Sequence, residues 1–176
     1  MTPAAPSDPP RGAEAGDTLP DWVFDEADRR FMALALDEAA AALERDEVPV
    51  GAVVVRAGEV VARSGNRRRE LADPTGHAEI LALREAAAAA GDFRLEDCSL
   101  YVTLEPCPMC TATCRQARVE LVVWGASDPS AGACGSVIDL AGDRRLGRSL
   151  AHRGGLEAEA SRALLEAFFA KRRGTS

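Results

Sequence analysis

Apolar residues at helical spacing open the folded part of the chain. Phe31, Leu34, Ala35, Ala39, Ala42 and Leu43 form one stripe behind Asp25, Glu26 and Asp28, and acids ahead of such a stripe suit a helix start. Pro49 interrupts it, and the run Val50-Gly51-Ala52-Val53-Val54-Val55 reads as a buried strand. Ala57-Gly58 marks a turn, and Glu59 to Ser64 returns as the hairpin partner. After a polar loop from Gly65 to Gly76, the pattern predicts a helix from about His77 to Ala90, ended by Gly91. Leu100 to Leu104 reads as a third strand. Pro106 or Pro108 then opens a third helix reaching about Ala117, because proline is tolerated in a first helical turn. Leu121 to Trp124 is a fourth strand, and Gly125 to Gly135 a loop of small residues. Leu156 to Arg173 is a final helix with Leu164, Leu165, Phe168 and Phe169 on its apolar side. Signals between Asp139 and Gly155 are weak; a short fifth strand there stays open, although composition does not support it. This order predicts one mixed sheet sandwiched by helices, an α/β layer architecture.

Residues 1–24 change that picture at one end. Met1 to about Pro20 is rich in Pro, Ala, Gly and Asp and has little to bury, so 1–24 is expected to be a disordered tail and 25–173 a single domain. The net charge of -7 argues at first against a nucleic-acid partner. Most of it lies in residues 1–28, where seven acidic side chains face Arg11 alone. The remainder is nearly neutral and holds three basic clusters: Arg67-Arg68-Arg69, Arg144-Arg145 with Arg148, and Lys171-Arg172-Arg173. Such clusters fit phosphates, or they are solvated loops and a helix end that favours cations. No apolar run is long enough for a membrane span, and Met1 to Pro20 lacks the basic start and apolar stretch of a signal peptide. The expectation is a cytoplasmic protein with no membrane partner.

The cysteines carry the chemistry. Five of them, in a chain without an export signal, suggest a metal more than a disulfide framework. Cys107-Pro108-Met109-Cys110 supplies two thiolates one helical turn apart at a helix N-terminus, whose partial positive charge favours the thiolate. His77 supplies an imidazole at the start of another helix. Three such donors suit one Zn²⁺ and leave a fourth position for water, as in catalytic rather than structural sites. Two thiolates temper the ion's Lewis acidity, so a base beside it gains importance. Glu79, two residues after His77, is that candidate: a carboxylate that takes a proton from water and returns it to a ring nitrogen and departing ammonia. Taken singly, each residue has a plainer reading. A lone CxxC is more often structural, His77 a cap, and Glu79 an acid suited to a first helical turn. Together, His77-Ala78-Glu79 and Pro106-Cys107-x-x-Cys110 form the H-x-E…P-C-x-x-C arrangement of zinc deaminases.

At these residues the chain resembles the cytidine deaminase superfamily, and within it the bacterial tRNA wobble-adenosine deaminases. The similarity runs from about Asp25 to Arg173. It is carried by Val48-Pro49-Val50-Gly51-Ala52, Asn66-Arg67, Asp73-Pro74-Thr75-Gly76-His77-Ala78-Glu79-Ile80, Leu100 to Cys107, Gly125-Ala126 with Asp128, and Gly132 to Ser136. The resemblance implies a cytidine deaminase-like three-layer α/β/α fold with about five strands. It also implies conversion of adenosine to inosine at the first anticodon position of a tRNA, by a cytoplasmic homodimer. Asn66 would then read the edge of a flipped base and Asp128 would lie near the ribose. Without the resemblance Asn66 is a turn residue after a strand and Asp128 a turn residue before Pro129. Val50, with Pro49, either lines the base pocket or simply starts a buried strand. Glu105 either shapes the site or caps the cysteine helix, and Cys114 reads as a packing residue.

Three departures bear on the substrate. Thr111 to Gln116 replaces small and apolar residues, Gly147-Arg148-Ser149 stands where an Asn-His-Arg stretch is usual, and Ser130 replaces a common basic residue. They keep open a second reading, a deaminase of free nucleobases or nucleosides (guanine, adenine, cytosine or a related heterocycle) with the same zinc and glutamate chemistry. A third, a zinc module without catalysis, is disfavoured by Glu79, which zinc retention alone does not require.

Overall fold

The computed structural model describes residues 24–173, so the expectation of a disordered tail at Met1 to Pro20 falls outside the described residues. The chain order is α1 (Glu26–Glu44), β1 (Gly51–Arg56), β2 (Glu59–Gly65), α2 (Ala78–Ala90), β3 (Cys98–Leu104), α3 (Pro108–Gln116), β4 (Leu121–Ala126), β5 (Ala151–Gly154) and α4 (Ala158–Arg173). Asp25 caps α1 through a reciprocal capping box with Asp28, which accounts for the acids ahead of the apolar stripe. Gly91 ends α2 in the left-handed region, as expected of glycine there.

The five strands form one mixed sheet in the order β2-β1-β3-β4-β5. β1 runs antiparallel to β2 and β3, whereas β3, β4 and β5 are parallel. Successive side chains of a strand point to opposite faces, and here both faces are covered. Val53 and Val55 pack with Phe31, Met32 and Ala35 of α1, while Ala52 and Val54 pack with Ala82, Leu83 and Ala86 of α2. α4 joins α1 on its side of the sheet. The result is the three-layer α/β/α domain expected. Gly51 permits the close approach of α1, since a Cβ there would lie 2.0 Å from the Ala35 carbonyl oxygen.

The fifth strand of the expected sheet is β5, a four-residue edge strand in the segment of weak signal, held to β4 by main-chain pairing and by His152 stacked on Trp124. Two details differ from the sequence reading. A 3₁₀ turn at Arg144–Leu146 precedes β5. On α4, Phe168 is buried but Phe169 is 47% exposed, so the apolar side is narrower than its residues suggest. No helix among the described residues is long and apolar enough to cross a membrane.

Because β1 is antiparallel to β3, the start of β1, the end of β2 and the ends of β3 and β4 meet along one edge of the sheet. His77, Cys107 and Asn66 all belong to segments that leave this edge.

Candidate active site

Two helices present their N-termini to one point. His77 is the N-cap residue of α2 and Cys107 that of α3, and neither side chain makes the usual capping bond. Both donors are thereby left to face each other. Pro108 occupies the first turn of α3, where its missing N–H costs nothing, and Cys110 follows one turn from Cys107. The unpaired N–H groups of a helix start favour a thiolate there.

The three donor atoms close a small triangle. His77 Nδ1 lies 3.7 Å from Cys107 Sγ and 3.5 Å from Cys110 Sγ, and the two sulfurs are 3.6 Å apart. Zinc bonds of about 2.3 Å to sulfur and about 2.0–2.1 Å to nitrogen, at tetrahedral angles, require roughly 3.8 Å between sulfurs and roughly 3.5–3.6 Å between sulfur and nitrogen. The triangle meets those separations without rearrangement. Soft thiolates and an imidazole are also the donors zinc prefers over calcium or magnesium. No other group of potential metal donors occurs among the described residues.

Ion-free, the trio divides its protons unevenly. Cys107 is pulled down to about 4, first by the hydrogen bond it shares with Cys110 and then by His77. Cys110 is pushed up by that same contact and then by burial. His77 is raised, first by its bond to Cys107, against the opposing effect of burial. This favours negative charge on the half-buried Cys107 sulfur and a proton on the buried Cys110, which a metal must displace.

Glu79 sits in the first turn of α2 and is buried. Burial pushes its carboxyl up from the ordinary range, and the charge of His77 pulls it back in part. The Cys110 thiol is among its hydrogen-bond partners. A carboxyl with a raised pKa beside a metal cage more readily holds a proton than an exposed one. Cys114, one turn beyond Cys110, belongs to the core cluster and not to the cage.

The remaining candidates lie on the rim. Asn66 N donates to the Val50 carbonyl at 2.9 Å, and Arg67 N donates to the Gly76 carbonyl at 2.9 Å, next to His77. Backbone bonds therefore tie Val50, Asn66 and His77 into one wall. Val50 itself packs in the core on the α2 side. Asn66 lines a cavity of about 360 Å³ shared with Glu47, Val48, Arg68, Phe168 and Arg172, and the charge of Arg68 is felt at His77. Asp128 acts locally: its Oδ1 accepts from Ser130 N, Ser130 Oγ and Ala131 N, which is the turn role its neighbour Pro129 suggested.

Two buried acids organise this rim. Glu105, 1% exposed, accepts from the main-chain N–H groups of Asp128, Cys134 and Ser136, at 3.0, 3.0 and 3.1 Å, and from the Ser136 hydroxyl. It therefore shapes the 128–136 loop and does not cap the cysteine helix. Gly132 passes so close that a Cβ would lie 2.5 Å from the Glu105 carboxyl carbon. Glu47, the second acid, carries no signature in the sequence and was missed by reading it. Several of the basic clusters are already engaged: Arg67 with Glu70, Arg69 and Arg172 with Asp46, and Arg145 with Asp143.

Comparison with known proteins agrees with this geometry. Residues 25–126 match the cytidine and deoxycytidylate deaminase zinc-binding region. A tRNA-specific adenosine deaminase of Agrobacterium fabrum is 48% identical over 81% of this chain and 94% of its own length. A protein of Deinococcus radiodurans called tRNA(Ile)-lysidine synthase is 52% identical over 80% of this chain, which spans only 24% of that relative. A solved structure from a study of tRNA:A34 deaminases and A-to-I editing at the wobble position is 48% identical, with a TM-score of 0.75 over 77% of this chain and 99% of that one.

Proposed function

The chain belongs to the cytidine and deoxycytidylate deaminase zinc-binding family, and from that premise we infer that it deaminates adenosine to inosine at the wobble position of a tRNA. The enzyme class is that of the family, a zinc-dependent hydrolytic deaminase. The observation that carries the reading is the His77–Cys107–Cys110 triangle of zinc dimensions with buried Glu79 beside it.

His77, Cys107 and Cys110 would hold the ion. A zinc ion in that cage supplies Lewis acidity, which makes a water nucleophilic near neutral pH. Glu79 takes a proton from the attacking water and delivers it to the purine ring nitrogen beside the reacting carbon. A carbon–oxygen bond forms, the carbon–nitrogen bond breaks, and Glu79 passes the second proton to the leaving amine, so that adenosine and water become inosine and ammonia. A base can reach this cage only when turned out of its stack. Asn66, tied to the segment that carries His77 by the bond from Arg67 N to the Gly76 carbonyl, is the residue we assign to its edge, with Val50 behind it and Asp128 toward the ribose. The deaminase domain is assigned to residues 25–173, since the sheet needs β5 and α4 as well as the segment matched by the family.

The relatives' names favour tRNA as partner, and Arg68 beside Asn66 offers charge to a flanking phosphate. The departure at Gly147-Arg148-Ser149 does not touch this wall, because Arg148 and Ser149 line a separate cavity with Ala112 and Gln116. A cytoplasmic homodimer is part of the proposal. Its physical support is an apolar fringe of exposed Val137, Ile138 and Leu146, the last beside α3.

The test sets an anticodon hairpin RNA with adenosine at the wobble position beside a panel of free purines and pyrimidines. Inosine should form in the hairpin, with affinity that weakens steeply as salt rises through counterion release. Turnover confined to free bases would replace the tRNA assignment with the free-nucleobase reading.

A further inference from the structure

Glu47 lies on the turn after α1, next to Asp46, which takes φ 58°, and is only 1% exposed. A carboxylate so deep in a fold needs partners for both oxygens. Oε1 accepts the main-chain N–H groups of Arg69 and Glu70 at 2.7 and 2.8 Å, and Oε2 accepts from Nδ2 of Asn66 at 3.0 Å. All three donors come from the loop that leads to His77, and Asn66 alone among them donates from its side chain.

We propose that Glu47 is a positioning residue that sets the orientation of the Asn66 amide, and with it the order of acceptor and donor that the cavity offers to a heterocyclic base. This rests on Asn66 as a substrate contact, as assigned above. A carboxylate accepts hydrogen bonds and offers none, so the NH₂ end of the amide must face Glu47. No donor to Asn66 Oδ1 occurs among the described residues, and Asn66 lines the cavity wall. The substrate therefore meets Oδ1 and the one N–H that Glu47 leaves over. A half-turn of the amide exchanges the two. An aromatic base, whose edge alternates donors and acceptors, is sensitive to that exchange.

Glu47→Gln isolates the effect. One oxygen remains for the N–H groups of Arg69 and Glu70, but an NH₂ group now faces Asn66. Two NH₂ groups cannot bond to each other, so Asn66 turns its own NH₂ toward the cavity. In the full-length zinc-loaded protein, on whichever of hairpin RNA or free base turns over, kcat/KM should fall roughly ten- to a hundredfold. Hydrogen exchange at the Arg69 and Glu70 amides should stay near that of the parent. If Glu47 acts through Asn66, the same change in an Asn66→Ala background should cost at most about twofold more.

Losses that multiply independently, or parental activity in Glu47→Gln, overturn the proposal. So does a Glu47→Gln protein in which exchange at Arg69 and Glu70 rises together with the loss of activity, because Glu47 would then only brace the loop. Parental activity in Asn66→Ala is a different failure: it removes Asn66 from substrate binding and takes away the reading beneath this one.

Discussion

Replacing Glu105 with alanine removes one carboxylate and strands three main-chain donors. The N–H of Cys134 is buried and has no route to water, so its full desolvation cost of about 1–3 kcal/mol applies. Those of Asp128 and Ser136 are half-buried and recover part of theirs from solvent. Adding the space left beside Gly132, the sum is of order 3–5 kcal/mol. For a protein of this length each kcal/mol moves Tm by about 2–4 °C, so melting should fall by roughly 6–20 °C. Glu105→Gln keeps one acceptor oxygen and should lose less, about 1–3 kcal/mol. Urea and thermal unfolding, both with the same excess of zinc because bound metal stabilises the folded state, measure the difference. A Glu105→Ala protein within about 1 kcal/mol of the parent would refute the account, since a fully buried hub cannot be lost so cheaply.

Glu79→Ala should lower kcat by about 10²–10⁴-fold, the usual worth of a positioned proton carrier, while elemental analysis still finds one zinc per chain; comparable activity would remove Glu79 from the mechanism. Zinc loading should release protons, because Cys110 holds its proton in the ion-free cage and the ion needs the thiolate. Affinity therefore tightens as pH rises, about tenfold per unit for each proton displaced, and more steeply where His77, raised by Cys107, is also protonated. Competition against a chelator between about pH 6 and 8 reads this slope directly, and a flat profile contradicts the proton assignment.

The donor trio was legible in the sequence because a metal cage demands particular residue types at particular spacings. Thiolates and imidazole are donors zinc prefers, helix geometry brings Cys107 and Cys110 one turn apart, and Glu79 rides on the helix that His77 caps. The layers of the fold were legible for a related reason: apolar runs and helical stripes report which faces are buried. Glu47 and Glu105 were not, since a carboxylate that collects main-chain N–H groups needs no particular partner residues. Its donors lie 19 to 31 positions away in the chain and come close only when the strands pair. β5 left only a weak trace in the sequence, because an edge strand of Ala-His-Arg-Gly is held by backbone pairing and by a ring stacked from β4. The chain by itself determined which donors can share one metal ion and which carboxyl rides on the helix beside them. The tertiary structure alone decided which way Asn66 faces and how the 128–136 loop is held, because those depend on hydrogen-bond directions that exist only after the sheet has assembled.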